Sequence, residues 1–382
     1  MKVYLDNAAT TALDKQVLDE MLPYLTDFFG NPSSIHSYGR KTKAAIEKAR
    51  KTIARYLNAS TAEIFFTGSG TESSNMIIKC AMRDLGIKRI ISSRTEHHCV
   101  LHSIETVGKE GTEVMYVKVD AKGHVDYNDL ERLLSSSSSK TLVSLMHANN
   151  EIGTLLDLQR VSDLCRQYGA LFHSDTVQTI GYMPFDVQKI KIHFLSGSAH
   201  KFHGPKGVGF VYVNSEVQIH PFMDGGSQER NMRAGTENVY GIVGLGKALE
   251  ICMDEMEAHR SYIHGLKNYM KETLLASIPG VGFNGDTSEE GSNYKVLNVS
   301  LPPSDKAETM LFNLDMAGIA ASGGSACSSG SEKGSHVLEA IGADPQRKSV
   351  RFSFSKFNTK EEIDYAVSTL ARMLRNEPAI SA

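Results

Sequence analysis

Short strand-like and helix-like runs alternate from about residue 40 to residue 250, and that alternation constrains the fold more than any other feature of the chain. Glu63–Thr67, Arg89–Ser92, Glu113–Val119, Thr141–His147, Ala170–His173 and Phe194–Ser196 are short apolar runs of the kind that form strands buried on both faces. Between them, Glu72–Leu85 and Leu158–Tyr168 have helical periodicity. Ahead of them, Arg40–Leu57 carries Ala44, Ala45, Ala49, Ile53 and Leu57 at near-helical spacing. Repeated βα units predict a parallel sheet with helices on both faces. Val208–Val213 predicts a further strand, antiparallel and at the edge. Ile242–Leu275 predicts one long helix, and after Pro279 the pattern becomes that of a smaller α+β unit closing on a helix over Lys360–Leu374.

The composition narrows the function classes. Lys plus Arg is 41 and Asp plus Glu is 44, a net charge of −3. That balance argues against a chain built to coat nucleic acid or an anionic membrane. No run of about 18 apolar residues is present, as a spanning helix would need. The start, MKVYLDNAATT, lacks the basic-then-apolar pattern of a secretory signal. The 5 cysteines are scattered and never spaced C-x-x-C, so they read neither as a disulfide framework nor as a zinc knuckle. A reducing, cytoplasmic setting is the expectation.

Several residues are candidates for chemistry. Gly68-Ser69-Gly70-Thr71 joins a strand to a helix, where backbone N–H groups and the helix terminus favour an anion. It also fits an ordinary tight turn, and it lacks the Gly-Lys-Ser/Thr ending of a nucleotide loop. Asp175 ends a strand-like run, where open α/β sheets bind ligands. A carboxylate there can hold a protonated ring nitrogen or merely cap a turn. Lys201, in Ser-Gly-Ser-Ala-His-Lys, is a candidate Schiff-base lysine or a surface lysine. His97 can stack on a flat cofactor, although the His97-His98 doublet also suits a metal. Cys327 stands among Gly, Ser and Ala with no helical or strand face to bury it, which fits a loop carrying a nucleophilic thiol. Cys80, Cys99, Cys165 and Cys252 lie in regular runs and are expected in the core. Arg351, on a period-2 strand, has the planar fork that binds a carboxylate, or is simply exposed. Arg230–Thr236 holds two arginines with no acidic neighbour beyond Glu229.

Taken in order, these elements resemble the cysteine desulfurases, pyridoxal-phosphate enzymes of the class V aminotransferase group. YLDNAATT at 4–11, GNPSS at 30–34, TGSGTES at 67–73, TEHH at 95–98, HANNEIG at 147–153, HSDTVQ at 173–178, SGSAHKFHGPKGVG at 196–209, RAGTENV at 233–239 and GSACSSG at 324–330 carry the likeness nearly end to end. It implies that Lys201 binds pyridoxal 5'-phosphate covalently, that Asp175 pairs with the pyridinium nitrogen, that Gln178 meets the ring hydroxyl and that His97 stacks on the ring. It implies that Gly70, Thr71, Ser198 and His200 hold the phosphate and that Thr236 reaches the phosphate of a second subunit. Asn150 and Arg351 would bind the substrate carboxylate, and Cys327 would accept the sulfur. Thr176, Ser227, Asn231 and Ala234 depart from the usual residues.

The expected fold is α/β and aspartate-aminotransferase-like. Residues 15–255 would form a large cofactor domain with a mainly parallel sheet, and residues 1–14 with 256–382 a small α+β domain. The expected activity converts L-cysteine to L-alanine, leaving a persulfide on Cys327 for a sulfur-acceptor protein such as an iron–sulfur scaffold, or for tRNA thiolation. A homodimer is expected, and no nucleic-acid, membrane or metal partner. A selenocysteine lyase or another class V aminotransferase is the alternative within the fold, and a phosphate-loop protein built on Gly68–Thr71 the alternative outside it.

Overall fold

The computed structural model describes residues 1–304, 309–323 and 334–375. Its centre is a seven-stranded sheet in the order β2-β8-β7-β6-β5-β3-β4. These strands are β2 (Ile64–Thr67), β3 (Arg89–Ser93), β4 (Glu113–Val117), β5 (Thr141–Ser144), β6 (Leu171–Asp175), β7 (Phe194–Ser198) and β8 (Gly209–Val213). The strands β4, β3, β5, β6 and β7 pair in parallel, as the alternation predicts. Every residue of β2, β3, β5, β7 and β8 is buried, the mark of strands covered on both faces.

β8 is antiparallel to both of its neighbours, but it is not at the edge. One backbone edge of β8 pairs with β7 and the other with β2, so β2 takes the edge position instead. The open edge of β2 is covered by a buried ion pair. Arg50 Nη1 donates to Ile64 O at 2.7 Å, and Glu229 Oε2 accepts from Phe66 N at 2.7 Å and from Arg50 at 2.8 Å. Those side chains satisfy the backbone groups that an edge strand leaves unpaired.

Because β8 reverses direction and β2 reverses it again, β2, β3, β5, β6 and β7 all end at one rim of the sheet. Each of the turns beyond them carries site residues. After β2, the Ser69 side chain caps the helix Gly70–Leu85 by accepting from Glu72 N at 3.1 Å. After β3, His97 caps the helix His98–Lys109 through its ring nitrogen. The expected single helix over 242–275 is two helices, Val239–Asp254 and Met256–Ser277, because Glu255 between them leaves helical geometry at φ −111°, ψ 10°.

A second, three-stranded antiparallel sheet has the order β12-β10-β9, formed by β9 (Gly282–Asn284), β10 (Val296–Ser300) and β12 (Ser349–Ser353). The amino-terminal strand β1 (Val3–Tyr4) pairs in parallel with β11 (Ile319–Ala320). Leu5 O accepts from Ser353 N at 2.7 Å, so the chain start also lies along β12. No helix among the described residues is long and apolar enough to cross a membrane.

Candidate active site

The rim of the large sheet encloses a cavity of about 220 Å³ lined by Gly70, Thr71, His97, Asn150, Asp175, Gln178, Ser198, His200, Lys201 and Arg351, with Cys99 among the other walls. Ten of the twelve expected site residues thus meet in one place. Thr236 does not line this cavity and is exposed. Cys327 lies outside the described residues.

Each residue is held by its local structure. Asp175, the last residue of β6, is buried, and its Oδ1 accepts from Val177 N at 3.0 Å and Ser196 Oγ at 3.4 Å. Burial raises its pKa against these hydrogen bonds and the Lys201 charge. Thr176, one of the departures, donates Oγ1 to Ser196 O at 2.8 Å and so ties the ends of β6 and β7 together. Gln178 donates Nε2 to Ala8 O at 3.0 Å, while its buried Oε1 has no partner. Lys201 ends a short 3₁₀ turn after β7 and donates Nζ to Ala8 O and Ala9 O, both at 2.7 Å. The expectation for YLDNAATT therefore gains a physical content: its carbonyls hold the lysine.

His97 Nδ1 accepts from Cys99 N at 3.2 Å, so the proton of the neutral ring is on Nε2. Burial, with the Lys201 charge behind it, lowers its pKa to about 4. His200 is likewise lowered to about 4, chiefly by burial, and its Nδ1 lies 3.1 Å from Thr10 Oγ1. Both rings are neutral at pH 7. Gly70 shows why that position takes no side chain: a Cβ there would lie 2.6 Å from Val177 Cγ2. The helix terminus can therefore come close to whatever fills the cavity.

Arg351, fully buried on β12, is not exposed as one sequence reading allowed. Its Nη2 donates to Asp6 Oδ1 at 2.8 Å and its Nη1 to Asn150 O at 2.9 Å, while Nε has no partner. Asp6 also accepts from Ser322 Oγ at 2.7 Å. The expectation that Arg230 and Arg233 lack acidic partners is corrected. Arg230 pairs with Glu47 at 3.3 Å, Arg233 grips Glu72 at 2.8 and 3.3 Å, and Glu229 is taken by Arg50. Those partners come from the helices Ser37–Leu57 and Gly70–Leu85, out of reach of local sequence reading. Asn231 has a positive φ of 65°, a conformation that asparagine tolerates where glycine is usual.

Cys99 corrects a second expectation. It is half-buried rather than core, lines the cavity, and its Sγ is 3.1 Å from His97 Nδ1. The first turn of the His98–Lys109 helix exposes it there. A larger cavity of about 1340 Å³ shares Thr71, His97 and Cys99 with the first. Gly323 and Gly334, which flank the segment carrying Cys327, both line this second cavity.

These donors fit pyridoxal phosphate. A lysine amine, a buried carboxylate, a neutral imidazole, an orphaned amide oxygen and a helix amino terminus would suit, respectively, an aldehyde, a pyridinium, a ring face, a phenolic hydroxyl and a phosphate.

The aminotransferase class-V family matches residues 3–366. A cysteine desulfurase IscS of Dictyoglomus turgidum is 44% identical over 384 residues, covering 100% of this chain and 96% of its own. A putative cysteine desulfurase IscS 1 of Bacillus subtilis is 40% identical, covering 98% of this chain and 99% of its own. Among solved structures, a NifS-like protein superposes with a TM-score of 0.91 at 37% identity, over 98% of this chain and 100% of that one. A structure of SspA in complex with cysteine has a TM-score of 0.80 at 31% identity, over 94% of this chain and 100% of that one.

Proposed function

The chain belongs to the class V aminotransferases, and within them it is a cysteine desulfurase; from that footing we propose how its own residues take L-cysteine to L-alanine and pass the sulfur on. The observation that carries the proposal is the cavity in which Lys201, Asp175, Gln178, His97 and the Gly70–Thr71 helix terminus converge beside Arg351.

Pyridoxal phosphate, held by Lys201, Asp175, Gln178, His97, Gly70, Thr71, Ser198 and His200, supplies an electron sink for the pair left when a substrate loses its Cα proton. Asp175, kept from solvent, accepts a ring N–H and holds it protonated. His97 covers a ring face as a neutral imidazole and so adds no positive charge against the ring. With the cofactor bound, Lys201 Nζ would be the base placed to take the substrate's Cα proton. The Ala8 and Ala9 carbonyls that hold it at 2.7 Å orient that amine. Asn150 and Arg351 orient the substrate carboxylate, with Arg351 already buried and one arm fixed on Asn150 O.

The Cys327 thiolate attacks the substrate sulfur. The Cβ–S bond breaks as the S–S bond forms, Cβ gains a proton, and the enzyme keeps a persulfide. L-Cysteine plus a thiol thus gives L-alanine plus a persulfide, balanced without an external oxidant. What supports this role is that Gly323 and Gly334, the described residues on either side of Cys327 in the sequence, line the cavity that also holds His97 and Cys99. A sulfur-acceptor protein, such as an iron–sulfur scaffold, would take the persulfide.

A homodimer is part of the same reading. Leu18, Leu22 and Leu25 form one exposed apolar face of the helix Lys15–Thr26, continued by Phe29, Ile35 and Tyr38. A second copy covering that face would bury it. Thr236, exposed in one chain, would then have a partner's site to reach. The division into residues 15–255 and 1–14 with 256–382 belongs to this reading too, and the helix break at Glu255 supports it.

The test is Cys327→Ser. The variant is expected to keep its yellow cofactor and to bind cysteine, but to form no persulfide and release no sulfide. Near-normal alanine production from cysteine would remove Cys327 from the mechanism and turn attention to Cys99.

A further inference from the structure

We propose that Arg233 is a positioning residue for the cofactor phosphate: it neutralises Glu72, the one full charge in the turn Gly68–Glu72, so that a second anion can share that helix end. The inference rests on the reading of Gly70 and Thr71 as the phosphate side of a pyridoxal phosphate site.

Glu72 stands in the first turn of the helix Gly70–Leu85. Its Oε2 accepts from Gly68 N at 2.8 Å, and its own N donates to Ser69 Oγ at 3.1 Å. The carboxylate is thus folded back over the turn, where it satisfies a backbone donor that the bend leaves open. A Cβ on Gly68 would lie 2.8 Å from Glu72 Oε2, so glycine there admits the contact. The residues between them, Ser69, Gly70 and Thr71, line the cavity.

Negative charge is favoured at a helix amino terminus, and Glu72 already supplies it. A phosphate monoester, close to a dianion at pH 7, must then enter beside a carboxylate. Gly70, Thr71, Ser198 and His200 offer it no full positive charge, since burial keeps the His200 ring neutral. The balancing charge comes from Arg233. Its Nε donates to Glu72 Oε1 at 2.8 Å and its Nη2 to Glu72 Oε2 at 3.3 Å, a two-point contact between side chains that are both mostly buried.

The segment that carries Arg233 is held firmly in place. Glu229, Arg230 and Asn231 have φ of 44°, 56° and 65°, left-handed values that are uncommon for residues other than glycine. Glu229 Oε2 accepts from Phe66 N at 2.7 Å, which fastens the segment to β2, and Arg233 fastens it to the turn that follows β2. Glu229, the other carboxylate acting on Arg233, is taken by Arg50 at 2.8 Å, which leaves Arg233 to Glu72. A pair that served only to fasten this segment would make the same contacts, so the test must separate charge from fastening.

Cofactor is removed from the full-length protein, which is then titrated with pyridoxal 5'-phosphate and, separately, with pyridoxal, reading the chromophore that each aldehyde forms. Arg233→Gln should weaken pyridoxal 5'-phosphate binding about tenfold and leave pyridoxal binding within about twofold. Glu72→Gln deletes the charge and keeps an acceptor for Gly68 N and for Arg233, so it should tighten pyridoxal 5'-phosphate binding about threefold. The double variant should return to within about threefold of the unaltered protein. Opposite signs are what a charge balance requires. Fastening predicts instead that both single variants lose affinity together, because either one loosens the same pair and with it the segment that carries Thr236. A Glu72→Gln protein whose pyridoxal 5'-phosphate affinity is unchanged or weaker overturns the proposal. So does an Arg233→Gln protein that loses both aldehydes equally, or neither. If Arg233→Gln does not fold, the sign of the Glu72→Gln effect decides alone. Borohydride trapping and peptide mapping of the unaltered protein is a separate control. Pyridoxal 5'-phosphate found on a lysine other than Lys201 would overturn the underlying reading instead.

Discussion

The two sheets contribute to the active site in opposite ways. The seven-stranded sheet brings eight of the cavity's expected residues from the ends of β2, β3, β6 and β7. Asp175 has only neutral donors, and Gln178 keeps an oxygen unpartnered. The three-stranded sheet brings one residue, Arg351, and that residue is already paired with Asp6 at 2.8 Å. On the first side these polar groups line the cavity that a resident cofactor would fill. On the second the protein has neutralised a charge that must meet a ligand which comes and goes. A resident group can be met by unsatisfied partners, whereas a buried guanidinium standing idle between turnovers needs a counter-ion.

The largest test breaks the first side. Lys201→Ala should fold, and should lose the borohydride-reducible chromophore. Its rate should fall on the order of a thousandfold or more, since both covalent capture and proton transfer leave with Nζ. A yellow, reducible Lys201→Ala protein would mean that a different lysine carries the cofactor. The next test breaks the second side. Arg351→Ala should keep the chromophore and lose cysteine affinity. Losing one partner of a buried charge pair costs about 2–5 kcal/mol. Because Arg351 has one arm on Asp6 and another on Asn150 O, the low end is expected, about 2 kcal/mol or thirtyfold. An unchanged apparent affinity for cysteine would remove the carboxylate contact.

The same division decides what could be read from the sequence. Asp175, Lys201, His97 and Gly70 follow apolar runs directly, so the rule that parallel sheets bind ligands at their carboxyl ends finds them. Helix starts there shift by two or three residues, Arg40 becoming Ser37 and Glu72 becoming Gly70. What was illegible depends on pairings across the chain. Asp6 is 345 residues from Arg351, and Glu47 is 183 from Arg230. β8 reads as an edge strand until β2, which no local pattern links to it, is placed beside it. Cys99 has a neighbourhood that reads as core, and only the position of a first helical turn puts its sulfur on the cavity wall.

The smallest test sharpens the contrast by removing the counter-ion and leaving the arginine. Asp6→Asn keeps an acceptor for Arg351 Nη2 and for Ser322 Oγ, and deletes the negative charge that competes with an incoming carboxylate. Cysteine should then bind more tightly, because the guanidinium no longer trades one anion for another. Asp6 is partly solvated, with a side chain 18% exposed, so screening limits the gain to at most about 1 kcal/mol, or about fivefold. The stability of the unliganded protein should fall by a similar amount, since Arg351 then waits without a full counter-charge. Spectral titration of cysteine in a Cys327→Ser background separates binding from turnover, and a thermal melt of the same protein reports the second effect. Tighter binding with lower stability is the signature of a counter-ion that competes with substrate. Weaker binding would instead make Asp6 a support that aims Arg351, and the two sheets would then differ in position but not in strategy.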